Sequence, residues 1–465
     1  MTDRMANLLN MKRGELVLGL LSVLFHFCVL GGYYFLRPVR DAMGMSGGMD
    51  ELRWLFLVTS FASLGVVLAF GGVVARTNRR RFIPIAYLFV IVCLFGFAGL
   101  LVADARAGGG LIGTDAETAL AQGVGYTFYV WLSAINLFVT SVFWAFMVDL
   151  FDTDQGKRMF GFIAIGGTLG ASIGGWATGT ISGMTESAYL PAILMLMGAA
   201  LFAAAIAVML TLDRLALKSE YSRHTADRVV AQVATGAGRE RTGGSFWEGA
   251  TQVAKSPYML GIGLWVVLMA VSNTMIYFTQ ANFVQDTADT FSQAVAGFAQ
   301  FDMWANIATG VTQIFVTTRV IKKLGVGWTL SILPLVTLSG FAVLAVWPVL
   351  GVMVFFQAIH RATRYALSRP ARETLWSVVS PSEKYKAKPV VDVFLYRAGD
   401  VAGVGVDGAF AALGLTLGWI AAATVPLAGG WVMLSGALGR AQQKNVENVE
   451  ELAEAEAEAE AVVGA

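Results

Sequence analysis

Four arginines crowd the stretch Gln357-Ala-Ile-His360-Arg361-Ala-Thr-Arg364-Tyr365-Ala-Leu-Ser-Arg369-Pro370-Ala-Arg372-Glu373. A guanidinium is a planar fork of donors that meets a phosphate or carboxylate with two parallel hydrogen bonds. At about 100° per residue, Arg361, Arg364 and Arg372 share an arc of roughly 80° on a helix. Further on come Asp392, Arg397, Asp400 and Asp407. Arg397 and Asp400, three residues apart, either pair permanently or form an ion pair that breaks and re-forms. Near the start, Tyr33, Arg37 and Arg40 follow at spacings of four and three and so share one helix face. The chemistry open to such groups is recognition of an anion.

These residues must be held by elements of an unusual kind. The chain has 465 residues, 56% apolar and only 14% charged, against about 25% charged in a soluble protein. Its mean hydropathy is +0.64. Apolar runs of about 20 residues recur, each long enough to cross roughly 30 Å of hydrocarbon as a helix. Length and punctuation place spans at roughly 14–36, 54–75, 82–103, 125–149, 160–183 and 188–212. A second set falls at roughly 258–281, 293–318, 326–346, 349–379, 389–413 and 416–438. A soluble enzyme, a disulfide scaffold and a disordered chain are excluded. The net charge of +1 argues against nucleic acid as a partner. Cys28 and Cys93 both lie in apolar runs, which implies no disulfide framework. The first run ends in Arg37-Pro38-Val39-Arg40 without a small-residue cleavage site, so it reads as a spanning helix and not a signal peptide.

Orientation follows from the cations. With the N-terminus inside, 28 of the 33 Lys and Arg fall on the cytoplasmic side, against four in the opposite loops. The expected location is a bacterial inner membrane with both termini cytoplasmic. A polar insert, residues 214–257, divides the chain into six-helix bundles at 1–213 and 258–440, followed by an acidic tail at 441–465. The tail's Ala-Glu repeats place like charges at i and i+4, so it reads as solvated. A weak internal repeat supports two halves. Tyr34-Phe35-Leu36-Arg37 matches Tyr277-Phe278-Thr279-Gln280, and the basic turn Arg76 to Arg81 matches Arg319 to Lys323. The expected fold is therefore an all-α membrane protein of about 12 transmembrane helices in two six-helix bundles, a layout that resembles the major facilitator superfamily.

Charge at membrane depth requires a partner or a wet cavity. Arg361 lies about 18 Å along its helix from the Trp347-Pro348 turn, near or past midplane. Arg369 and Arg372 suit either the cytoplasmic collar or the same face. Arg37 and Arg40, at a helix end, suit either outward snorkelling or an inner path. Polar stripes run along several helices: Asn273, Tyr277 and Gln280; Asp302, Asn306, Thr309 and Gln313; Tyr129, Ser133, Asn136, Thr140 and Trp144. One stripe suits interhelical hydrogen bonding, whereas stripes in both halves suit a shared aqueous route. His26 and His360 suit a structural hydrogen bond or proton coupling. Two motifs are decoys. Gly403-Val-Gly405-Val-Asp-Gly408 lies inside a span with no strand before it, so it is no dinucleotide loop. Gly170-Ala-Ser172-Ile-Gly174 would suit a serine hydrolase, but Gly166, Gly170 and Gly174 form a small-residue ridge for helix packing. No P-loop, HExxH or Cys/His metal spacing occurs, so no catalytic residue, metal or cofactor is expected.

Several segments resemble the nucleotide (ATP/ADP) exchange transporters of plastids and intracellular bacteria and their free-living relatives. They are Tyr34-Phe-Leu-Arg37-Pro-Val-Arg40-Asp41, Phe143-Trp144-Ala-Phe-Met-Val-Asp149 with Gln155-Gly-Lys157-Arg158, Arg369-Pro370-Ala-Arg372-Glu373, and Lys384-Tyr-Lys386-Ala-Lys388 through Arg397-Ala-Gly-Asp400. The resemblance implies exchange or symport of nucleotides, with basic residues of the first and eleventh helices engaging phosphates. Arg40 stands where the exchangers carry a lysine, and Asp400 departs from the lysine expected near that glycine. The expectation is a secondary transporter of an anionic nucleotide or phosphorylated metabolite, working by alternating access in the lipid bilayer as a monomer. Arg37, Arg40, Arg361, Arg364 and Arg397 would attract the anion. Tyr34, Trp144, Tyr277 and Tyr365 would stack on it, and Asn273 and Gln280 would add hydrogen bonds. Asp302, Asp400, His26 and His360 would balance charge or couple protons. The rivals are a proton-coupled transporter of a non-nucleotide solute and a transport-dead scaffold or sensor.

Overall fold

The computed structural model describes residues 13–74, 79–109, 112–114, 117–151, 153–218 and 246–463, and among these it contains helices and turns but no strand. The middle of the polar insert, 219–245, and the turn at 75–78 lie outside the described residues. The helices are α1 (Arg13–Met45), α2 (Met49–Val74), α3 (Arg79–Arg106), α4 (Ala119–Leu150), α5 (Thr153–Met184) and α6 (Leu190–Lys218). Then follow α7 (Phe246–Lys255), α8 (Pro257–Thr287), α9 (Phe291–Phe315), α10 (Thr317–Val346) and α11 (Leu350–Ala362). The last four are α12 (Arg369–Leu375), α13 (Pro381–Pro389), α14 (Tyr396–Ala412) and α15 (Leu417–Val463). Among the described residues, eight helices are long and apolar enough to cross a membrane, and the chain is a multi-pass membrane protein.

The tenth and eleventh expected spans are each broken by a π-helical turn. Thr363–Ser368 joins α11 to α12, and Val390–Leu395 joins α13 to α14. The α-helical pieces before the first turn and after the second are therefore short, 13 residues in α11 and 17 in α14. A proline adjoins each turn, Pro370 after the first and Pro389 before the second. Proline has no N–H and crowds the carbonyl four residues back, which for Pro370 is that of Ala366 within the first turn, where wider winding accommodates both. The arc drawn through Arg361, Arg364 and Arg372 for an ideal helix does not carry across such a turn.

Several boundaries differ from the sequence expectation, among them the following three. α1 runs through Pro38 to Met45, because neighbouring helices tolerate a proline within a membrane helix that a soluble one would not. Arg37 and Arg40 thus lie inside α1 and not at its end. Within α10, Gly325 has φ 72°, a left-handed conformation cheap only for glycine, and it separates the basic turn of Arg319 to Lys323 from the apolar span. α15 continues as helix into the Ala-Glu tail. Alanine and glutamate are strong helix formers, and a like-charge pair costs only a few tenths of a kcal/mol.

The chain forms two compact units. The first takes the described residues of Met1–Glu240 and Ala281–Ile307, the second those of Arg241–Gln280 and Ala308–Ala465. In the first, the glycine ridge of α5 lets α1 approach backbone to backbone. A Cβ on Gly170 would stand 2.3 Å from the Phe27 carbonyl oxygen, and one on Gly166 would stand 2.2 Å from that of Val23. Ser172 donates to the Thr168 carbonyl at 2.8 Å within the same helix. Replacing Gly170 by Val is expected to destabilise the protein by about 1–3 kcal/mol, since backbone must move to admit the side chain. Gly161→Ala, on the same helix with nothing within 4 Å, serves as the control. Thermal unfolding in detergent measures both, and equal midpoints would contradict this packing. The second unit buries Trp265, Trp376 and Trp431. Trp265 donates to the Ser435 hydroxyl at 2.9 Å, which ties α8 to α15.

Candidate functional site

In the first unit, α1 presents Arg37 and Arg40 one turn apart to buried carboxylates. Arg37 Nη1 donates to Asp302 Oδ1 of α9 at 2.7 Å, across 265 residues of sequence. Arg37 Nε also lies 3.9 Å from Asp41. Arg40 donates through Nε to Asp41 at 3.0 Å and through Nη1 to the Ser133 hydroxyl of α4 at 3.1 Å. Tyrosine faces complete the set: Tyr34 lies 5.8 Å from the Arg37 guanidinium, and Tyr129 lies 5.2 Å from that of Arg40. Asp41 and Asp302 are buried, so the arginines are held inward and do not snorkel.

Trp144 and His26 meet elsewhere in the same unit. The His26 ring stacks on Phe143 at 4.3 Å and stands edge-on to Trp144 at 5.4 Å. Its Nδ1 lies 3.0 Å from the Ile163 carbonyl oxygen, and a Cβ on Gly167 would meet the ring at 2.3 Å. Packed and hydrogen-bonded in this way, His26 fastens α1 to α4 and α5.

The second unit repeats the combination of arginine, tyrosine and buried carboxylate. Arg364, in the first π turn, donates through Nη2 to the Tyr396 hydroxyl at 2.7 Å. Its guanidinium also lies over the Tyr365 ring at 5.0 Å and the Tyr396 ring at 5.7 Å. The Arg397 guanidinium lies 5.9 Å from the same Tyr396 ring. Arg397 Nη1 donates to Asp400 Oδ2 at 2.9 Å, and Thr274 of α8 donates to Asp400 Oδ1 at 3.3 Å. Arg361 and His360 are buried, and among the described residues His360 Nε2 has no hydrogen-bond partner. On α8, Gln280 accepts from Gln357 Nε2 at 2.9 Å. Asn273 and Tyr277 are half-buried, and Asn273 Nδ2 likewise has no hydrogen-bond partner among the described residues.

Toward the cytoplasmic end of the expected topology, the charges pair among themselves. Arg372 meets Asp392 at 3.4 Å, Lys388 meets Glu373 at 2.5 Å, and Lys386 meets Glu248 of α7. These pairs hold the α12–α13 connection, so Arg372 belongs to this lattice. Sequence reasoning missed Tyr396 as a site residue. The signal was present in the mirrored dipeptides Arg364-Tyr365 and Tyr396-Arg397.

The chain is similar in structure to the nucleoside transporter NupG, with a TM-score of 0.55 at 16% identity, covering 93% of this chain and 100% of that one. It is also similar to the peptide transporter POT in complex with sulfate, with a TM-score of 0.58 at 14% identity, covering 91% and 95%. A bacterial metal transporter matches with a TM-score of 0.59 at 10% identity, covering 90% and 98%. At such identities the likeness shows a shared fold alone. None of the curated proteins matches the chain. The family model for the TLC ATP/ADP transporter matches residues 117–424, the stretch that carries most of the second cluster's framework and α4 of the first. The chain belongs to the TLC ATP/ADP transporter family.

Proposed function

We propose that this protein is a secondary active transporter that moves an anionic nucleotide or phosphorylated metabolite across the bacterial inner membrane by alternating access. The observation that carries this reading is the Arg37–Asp302 ion pair at 2.7 Å. It joins the first helix to α9, the eighth expected span, with a charge that an incoming anion can compete for. A substrate that takes over Arg37 releases Asp302, and the populations of inward- and outward-open states shift by the difference in affinity. Twelve spans in two bundles, 1–213 and 258–440, with the linker 214–257 and both termini cytoplasmic, are the layout this mechanism uses. Arg37, Arg40, Arg361, Arg364 and Arg397 attract the anion, and Asp302 and Asp400 balance those charges when it is absent. Tyr34, Tyr277, Tyr365 and Trp144 offer aromatic faces, Asn273 and Gln280 offer amides, and His26 and His360 are the candidate proton-coupling groups.

Proteoliposomes containing the purified protein test the reading. Labelled nucleotide or phosphorylated metabolite is expected to enter, and uptake is expected to fall when unlabelled compound of the same class competes. Uptake confined to uncharged or non-phosphorylated solutes would favour the proton-coupled rival. No uptake of any solute, with a phenotype confined to loss of the tail, would favour the scaffold.

A further inference from the structure

Gly325 divides α10 into two parts of different chemistry. Residues 326–346 make an apolar helix of about 31 Å, enough to cross the hydrocarbon. The eight residues before the glycine, Thr317-Thr-Arg319-Val-Ile-Lys322-Lys323-Leu324, therefore begin where the hydrocarbon ends. They form their own helical piece, joined to the span across a kink at Gly325. Just past that kink the span is pinned: a Cβ on Gly439 of α15 would stand 2.4 Å from the Cα of Gly327. The eight-residue piece is amphipathic. At about 100° per residue, Arg319, Lys322 and Lys323 share an arc of roughly 100°, and Val320, Ile321 and Leu324 share an arc of similar width almost opposite.

The protein leaves the basic arc without a counter-charge. Arg319, Lys322 and Lys323 are exposed, and among the described residues no ion pair joins any of them to a carboxylate. Arg319 donates to the Phe315 carbonyl oxygen one turn back, which leaves other N–H groups of its fork to give. Elsewhere in the same unit the cations are matched, since Arg372, Lys386 and Lys388 each meet a carboxylate. The apolar flank is equally bare, with Phe315, Leu324 and Trp328 exposed. A short helix with cations on one side and apolar side chains on the other lies in the membrane interface, its charges among the headgroups and its apolar side against the acyl chains. Tryptophan is the residue enriched at that depth.

We propose that residues 317–324 form an interfacial helix that binds the headgroup phosphate of an anionic phospholipid through Arg319, Lys322 and Lys323. In the orientation proposed above, the lipid belongs to the cytoplasmic leaflet. Charge complementarity selects the lipid: a zwitterionic headgroup cancels its own phosphate, whereas an anionic one keeps a net negative charge for the three cations. Each Lys or Arg at an anionic surface strengthens attachment by about fivefold, so three on one arc suffice for a strong preference.

The test uses the full-length protein in nanodiscs of phosphatidylcholine and phosphatidylglycerol in equal parts, with native mass spectrometry counting the lipids that stay bound. The wild type is expected to retain phosphatidylglycerol over phosphatidylcholine by roughly tenfold or more. The triple variant Arg319→Gln, Lys322→Gln and Lys323→Gln is expected to lower that preference by roughly tenfold. A control triple, Lys255→Gln, Arg440→Gln and Lys444→Gln, removes the same charge from exposed positions of the same unit and should keep the preference. No preference in the wild type overturns the proposal, and so does an equal loss in both triples, which would make net charge and not this helix the cause. Displacement of the bound lipid by inorganic phosphate would also overturn it, by giving the seat to a free anion. The wild-type and phosphate measurements decide even where a variant fails to fold.

Discussion

Asp302→Asn is expected to be among the most damaging single substitutions in the chain. The carboxylate is buried and receives Arg37 at 2.7 Å. Removing one partner of such a pair leaves a charge with reduced compensation, at a cost of about 3–5 kcal/mol. The double replacement Arg37→Gln with Asp302→Asn removes both charges and should recover most of that stability, because the uncompensated cation is gone. Transport should stay lost in both, since Asp302→Asn leaves no carboxylate for the substrate to displace from Arg37 and the double variant has neither charge. Thermal midpoints and proteoliposome uptake, measured on the two single variants and the double, separate these effects. A double variant that transports normally would remove the ion pair from the mechanism.

Arg364→Ala should produce the opposite pattern, with the fold kept and function lost. Asp400 keeps Arg397 and Thr274 when Arg364 is removed, and the group that loses its hydrogen-bond donor is the Tyr396 hydroxyl. A charge-assisted hydrogen bond contributes about 1.5–3 kcal/mol, so uptake at low substrate concentration should fall by roughly tenfold to 150-fold. Arg364→Lys keeps the charge and loses the planar fork, and should fall between. A melting temperature near wild type with uptake strongly reduced is the expected signature. Uptake unchanged in Arg364→Ala would place the anion elsewhere.

Much of this was legible in the chain. A charge inside an apolar run is expensive enough to demand a partner, and that rule picked out Arg37, Arg364, Arg397, Asp302 and Asp400, each of which is hydrogen-bonded. The glycine spacing on α5 likewise announced a close helix contact, and Gly166 and Gly170 meet the backbone of α1. Partner choice was less accessible. Nothing in the sequence says that Arg37 meets Asp302, because the two are 265 residues apart and several acids have suitable spacing. The π turns were invisible for a different reason. One wider turn shifts the hydrophobic pattern by a single position, within the tolerance of a 3.6-residue period. Pro370 suggested a kink, but not the added residue that brings Arg364 to Tyr396. Pro38 misled in the other direction, since a helix stop in water is only a local adjustment between packed helices.

The unbroken course of α15 has a mechanical consequence. Its 47 residues make a rod about 70 Å long, of which some 20 residues suffice to cross the hydrocarbon. About 40 Å is left as a lever arm, so a 10° tilt of the final span would swing the tip through roughly 7 Å. A distance probe on that arm would report any such tilt from outside the lipid.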